Sequence, residues 1–185
     1  DEDDYFQSSL FTIARRRILW LLILVLANGL TTKVIAMNDQ ILKEIVLLAA
    51  FIPLLIGTGG NVGAQSSTVV IRGLSTQKLK SLGAIKAVVK EAITGALLGV
   101  FMMLVVFPFA WWQGEGPLIA SAVGISLISI TTLAATTGAI LPLLFDKMKL
   151  DPALMSSPFI TTVTDIAGVF IYLSTAKWLL NSSLT

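Results

Sequence analysis

An all-α integral membrane fold with five transmembrane helices per subunit follows from three features of the 185-residue chain. First, 55% of the residues are hydrophobic and only 13% are charged, about half the charged share of a soluble domain, and the mean hydropathy is +0.87. Second, five stretches are predominantly apolar over roughly 18 or more residues, enough helix to cross a hydrocarbon core of ~30 Å. Third, Lys and Arg are divided unequally between the connections, as expected where positive charge is retained in the cytoplasm. The net charge of +2 is too small to suggest a nucleic-acid partner. With no Cys and no His, disulfides, zinc sites, haem ligation and Cys- or His-based catalysis are excluded within the chain.

The first span, residues 18–35, follows the acidic start Asp1-Glu2-Asp3-Asp4 and the cluster Arg15-Arg16-Arg17. It is long enough to span and lacks the short apolar core and small-residue cleavage site of a secretory signal, so it reads as an anchor. The remaining spans read as 45–71, 85–112, 117–145 and 154–180. With the three arginines in the cytoplasm, Arg72, Lys78, Lys80, Lys86, Lys90, Lys147 and Lys149 fall on the same side, where they meet lipid headgroups. Lys33, Lys43 and Lys177 fall opposite, together with Trp111, Trp112 and Trp178 as an interfacial aromatic belt. The N-terminus is then cytoplasmic and the C-terminus outside, in a multi-pass protein of the cell inner (plasma) membrane. Residues 1–17 read as a cytoplasmic juxtamembrane segment and 18–185 as one membrane domain, with no internal repeat dividing it. The acidic start without Met suggests that a soluble cytoplasmic region precedes it; a short processed tail is the alternative.

One acidic residue lies near the middle of a span. Asp165 sits about 16 Å of helix rise beyond Leu154, and no Lys or Arg matches its depth in another span. A carboxylate there costs at least a few kcal/mol, so it should face protein or water and marks a functional site; a protonated Asp bonded to a neighbouring hydroxyl is the alternative. Steps of three and four from Asp165 give Ser157, Thr161, Gly168 and Tyr172, a stripe of polar and small residues. The other face, with Val163, Ile166, Val169, Phe170 and Leu173, suits lipid or packing. Pro158 leaves the Leu154 carbonyl without its helical donor, and Asp151-Pro152 reads as an N-cap followed by a first-turn proline.

The second span changes character midway, from apolar residues to Gly57-Thr58-Gly59-Gly60-Asn61-Val62-Gly63-Ala64-Gln65-Ser66-Ser67-Thr68. Gly57, Asn61, Ala64 or Gln65, and Thr68 share one face, and Pro53 with the glycines loosens the backbone, which a membrane tolerates only where water or protein lies opposite. This run lacks the lysine of a phosphate-binding loop. Gly59 and Gly63, and Gly95 and Gly99, have the spacing of close helix packing; packing is favoured for the second pair and a cavity role for the glycine-rich run. The hydroxyls of the fourth span, such as Ser126, Thr131 and Thr136, read as groups for packing and interhelical hydrogen bonding, with a pore-lining role as the alternative.

The intramembrane ligand set is therefore oxygen alone, which suits hard cations such as Mg²⁺, Ca²⁺ or Na⁺ and not soft metals. A single carboxylate cannot neutralise a dication, whereas two copies of Asp165 on a shared axis can, which suggests a homodimer with a pore at the subunit interface. Mg²⁺ keeps several of its waters, so one carboxylate per subunit with carbonyls around a hydrated ion is a reasonable filter. An ion-coupled divalent-cation transporter using Asp165 to exchange a proton, or coupled to Na⁺, is the alternative. A membrane-embedded enzyme would need a second acid, a His or a Ser-Lys pair at the same depth, and none is present.

The run Phe51-Ile52-Pro53-Leu54-Leu55-Ile56-Gly57-Thr58-Gly59-Gly60-Asn61-Val62-Gly63-Ala64-Gln65-Ser66, followed by Thr68 and Ile71-Arg72, resembles the signature of the MgtE family of magnesium channels. A second match runs through Leu141-Pro142-Leu143-Leu144-Phe145, Leu150-Asp151-Pro152-Ala153 and Ser157-Pro158 to Thr164-Asp165-Ile166-Ala167-Gly168. The resemblance implies a homodimeric Mg²⁺ channel whose pore is lined by the second and fifth spans, with Asp165 as the pore carboxylate and backbone oxygens at Gly57 and Thr161 beside the ion. It maps the narrow cytoplasmic part of the pore to Ala64, Thr68, Leu154 and Ser157, and a regulatory Mg²⁺ to Asp151, for which a plain N-cap is the alternative. It also implies an N-terminal cytoplasmic region with paired cystathionine-β-synthase-type domains, absent from this chain. Many members carry Asn where this chain has Ser157, and a polar residue where it has Ala64, so a weaker cytoplasmic ion site is expected.

Overall fold

The computed structural model describes residues 10–77, 79 and 83–182. All regular structure among the described residues is helical. Helix α1 covers Leu10–Ala36, the short α2 Asp39–Glu44, α3 Val46–Ser75, α4 Ala84–Ala110, α5 Gly116–Lys147 and α6 Pro152–Ser182, with a π-helical turn at Trp111–Glu115 joining α4 to α5. Four of these carry segments long and apolar enough to cross a membrane, namely Val46–Ser75, Ala84–Gln113, Gly116–Lys147 and Pro158–Asn181. In the first helix the described apolar stretch is the shorter Leu24–Ala36. Helix α1 starts upstream of the arginine cluster, so Arg15 and the apolar stretch belong to one continuous helix.

The boundaries follow local chemistry. Pro152 opens α6 directly after Asp151, where its missing N–H is one that no helix could use. Gly116 (φ +80°) turns the chain from the π-helical segment into α5, a left-handed conformation that a residue without Cβ adopts freely. Helix α5 ends in a Schellman motif: Leu150 N–H donates to the Phe145 carbonyl at 2.9 Å and Lys149 N–H to Asp146 at 3.0 Å. The six-residue α2 had no signal in the apolar periodicity. Its Asp39 and Lys43 form an exposed ion pair one turn apart, a contact that contributes little by itself.

Helix α5 is the hub. It packs on α3, α4 and α6, while α3 also meets α6 and α1 lies mainly on α6. Lipid tails are as apolar as leucine, so helices in a bilayer associate through close van der Waals packing at small residues. A Cβ on Gly138 of α5 would collide with the Gly63 carbonyl of α3, and one on Gly95 or Gly99 of α4 would collide with α5 at Thr131 or Ile128. The expected packing role of Gly95 and Gly99 therefore describes the α4–α5 contact. The α5 threonines bond back within their own helix and not between helices as expected, Thr131 to the Leu127 carbonyl at 2.8 Å, Thr132 to Ile128 at 2.7 Å and Thr136 to Thr132 at 2.7 Å, while the buried Ser126 hydroxyl has no hydrogen-bond partner among the described residues.

At the other end of the bundle the buried core joins α3, α5 and α6 through Leu48, Phe51, Leu55, Leu127, Ile130 and Leu173. Tyr172 of α6 is fully buried there, and its hydroxyl donates to the Leu48 carbonyl of α3 at 3.1 Å. Replacing Tyr172 by Phe should lower stability by about 1 kcal/mol, the net worth of such a bond. Thermal unfolding in detergent, Tyr172→Phe against the parent chain, measures it.

Candidate functional site

The glycine-rich half of α3 has two faces. Gly59, Val62, Gly63, Ser66, Ser67 and Val70 are buried against the neighbouring helices. A Cβ on Gly59 would meet Ile130 of α5 and Thr164 of α6, and one on Gly63 would meet Ile160 of α6. Two glycines of the run are thus packing residues, which the cavity reading of the whole segment did not separate. The stripe of Gly57, Asn61, Gln65 and Thr68 points away from the bundle and is exposed, with Ala64 half-buried beside it. Thr68 donates its hydroxyl proton to the Ala64 carbonyl at 2.9 Å.

This stripe is chemically misplaced for a lipid-facing surface. An amide without a hydrogen-bond partner loses several kcal/mol on leaving water for hydrocarbon, and Asn61 and Gln65 are both exposed within a helix of spanning length. Such a face requires water or another protein surface opposite it. Nothing stands within 4 Å of a Cβ built on Gly57, so there the backbone itself is open.

Helix α6 brings its own oxygens to the same side of α3. Gly60 of α3 lies against the Thr161 methyl, a Cβ there falling 3.9 Å away. Thr161 donates to the Pro158 carbonyl at 3.0 Å, so its hydroxyl proton is engaged inside the helix. Asp165, one turn on, is half-buried and has no ion pair among the described residues. Thr164 beside it is buried and bonds back to Ile160 and Thr161 at 2.9 and 3.0 Å. Among the described residues no group of three or more His, Cys, Asp or Glu could hold a metal ion.

The rest of the expected α6 stripe separates. Gly168 is buried against Ile130 and Tyr172 is committed to Leu48, so neither faces outward with Asp165. On the face expected to suit lipid or packing, Val163 and Phe170 are exposed whereas Val169 and Leu173 are buried, and Ile166 is intermediate. Asp151 is exposed just before α6. The side chains of Leu154 and Ser157 lie outside the described residues. In the sequence Thr164 stands out only as part of the motif Thr164-Asp165-Ile166-Ala167-Gly168 and not as a site residue; the structure shows it bonded back beside Asp165.

Residues 52–175 match the MgtE family, described as a divalent cation transporter. The chain belongs to the MgtE family. Among curated MgtE relatives, the magnesium transporter MgtE of Thermus thermophilus is 38% identical over 90% of this chain and 37% of its own length. That of Bacillus subtilis is 33% identical over 98% of the chain and 40% of its own length, and that of Enterococcus faecalis 34% identical over 89% and 36%. The chain thus spans about two fifths of the length of the MgtE relatives it matches. Family membership and the four apolar helices make it a multi-pass protein of the plasma membrane.

The two faces of α3 should respond oppositely to bulk. Gly63→Leu should lower the thermal midpoint in detergent by the equivalent of 1–3 kcal/mol or more, about the usual penalty for overpacking. Gly57→Leu should leave that midpoint within about 0.5 kcal/mol of the parent, as for a surface substitution.

Proposed function

We propose that the chain is the membrane domain of a homodimeric Mg²⁺ channel that imports the ion down its electrochemical gradient. The observation that carries this reading is the exposed polar stripe of α3, with Thr161 of α6 against the adjacent Gly60 and half-buried Asp165 one turn further along α6. The stripe needs a wet surface opposite it, and a two-fold-related copy supplies both that surface and the second carboxylate a dication requires. That the three relatives are named magnesium transporters supports Mg²⁺ as the transported ion.

In this reading α1 supplies the fifth span, the N-terminus is cytoplasmic and the C-terminus outside, and residues 18–185 form the channel. The paired Asp165 carboxylates hold a largely hydrated Mg²⁺, with backbone oxygens at Gly57 and Thr161 facing its water shell. Asn61, Ala64, Thr68, Leu154 and Ser157 line the path toward the cytoplasm, and Asp151 at its mouth is a regulatory Mg²⁺ ligand. An N-terminal cytoplasmic region of the same protein, as the family resemblance implies, senses Mg²⁺ and closes the pore. Selectivity follows from reluctance to dehydrate: a pore shaped for the hydrated ion with charge at one depth favours Mg²⁺ over ions that shed water readily.

Flux into liposomes tests the mechanism. Mg²⁺ entry should follow an imposed membrane potential without a pH or Na⁺ gradient; strict dependence on either gradient would instead identify the coupled transporter. Asp165→Ala should reduce Mg²⁺ flux by roughly tenfold or more, because ~1.4 kcal/mol of lost ion binding is already a factor of ten, while the dimer persists in cross-linking. Asp165→Asn should retain some flux and lose preference for Mg²⁺ over monovalent cations. Robust Mg²⁺-selective flux through Asp165→Ala would remove the proposed site.

A further inference from the structure

At the end of the bundle away from Tyr172, two cavities share a wall. One is an apolar groove of about 260 Å³ between the start of α4 and the end of α5, lined by Ile85, Val88, Ile140 and Leu144. The other is a polar cavity of about 480 Å³ between the end of α3 and the end of α5, lined by Ser75, Gln77, Leu79 and Asp146. Ala84, Leu143 and Lys147 belong to both. An apolar slot running along two membrane helices thus opens into a polar chamber with an ammonium group at the junction. Lys147 makes no ion pair among the described residues.

We infer that this pair of cavities binds an anionic glycerophospholipid of the cytoplasmic leaflet, one acyl chain in the apolar groove and the phosphate at Lys147. The shape separates the two halves of such a molecule as its chemistry does, and neither a peptide nor a soluble anion needs both. Charge favours an anion: Lys147 is on the wall of both cavities, and Lys86 and Lys149 follow within two residues of wall residues. Each basic residue near an anionic surface contributes about 1 kcal/mol of attraction. Asp146 is the one acid on the wall among the described residues; with Gln77 it can accept from headgroup hydroxyls, which points to a phosphatidylglycerol-type headgroup. The proposal rests on the orientation put forward above but not on the transported ion, so either can fail without the other.

Native mass spectrometry of the detergent-purified chain, incubated with equal amounts of phosphatidylglycerol, phosphatidylethanolamine and phosphatidylcholine, tests it. The expected result is phosphatidylglycerol retained several-fold over the other two. Lys147→Gln should reduce that retention by about fivefold, the factor expected for one such charge, and leave phosphatidylcholine unchanged. Val88→Trp, which fills the groove without touching the charge, should reduce retention of all three. Equal retention of the three lipids, preference for phosphatidylethanolamine, or parent-like phosphatidylglycerol retention in both variants would overturn the assignment. So would a disulfide between copies carrying Ile85→Cys and Ile140→Cys under a mild oxidant, which would make the groove a protein contact. An unchanged thermal midpoint of both variants in lipid-free detergent separates lost binding from lost fold.

Discussion

Backbone contact between α3 and α5 at Gly63 and Gly138 decides how the rest of the molecule is arranged. Neither position has room for a Cβ, so the two helices cross at a separation that only glycine allows. That crossing fixes the rotation of α3 about its own axis. With Gly59, Gly63 and Ser66 turned inward, Gly57, Asn61, Gln65 and Thr68 must turn outward, because residues one helical turn apart share a face. The polar stripe is exposed as a consequence of packing on its other side.

The same constraint operates on α6. Ile160 and Thr164 occupy the spaces that Gly63 and Gly59 leave open, and Tyr172 secures the far end of the helix to Leu48. Between those fixed points Thr161 and Asp165 are held at the margin of the bundle, neither sealed in the core nor spread over the surface. In the turns that follow Pro158, Thr161 and Thr164 bond back to the carbonyls of Pro158, Ile160 and Thr161. In the proposed channel this rigidity keeps the two carboxylates at one depth.

Much of this organisation was legible from residue type and spacing. Long apolar runs located α3 to α6 within a few residues, because spanning length is set by the thickness of the bilayer rather than by tertiary contacts. Asp165 stood out because one carboxylate in an apolar span is costly wherever it faces. The stripe of α3 was legible because 3.6-residue periodicity relates Gly57 to Asn61 and Thr68. Other features were not. Tyr172 and Gly168 share a helical face with Asp165 on a helical wheel, yet both turn into the core, since a helix touching three neighbours has no simple division into inside and outside. The short α2 was invisible because it has too few residues to establish a period.

The sequence by itself determined that the chain spans a membrane as helices, that its intramembrane chemistry is limited to oxygen, and that one charge lies at mid-depth, since each follows from composition and position along the chain. Which glycines pack and which stay open was decided only by the tertiary structure. Gly57, Gly59, Gly60 and Gly63 are alike as residues, and what separates them is the helix that stands opposite each one.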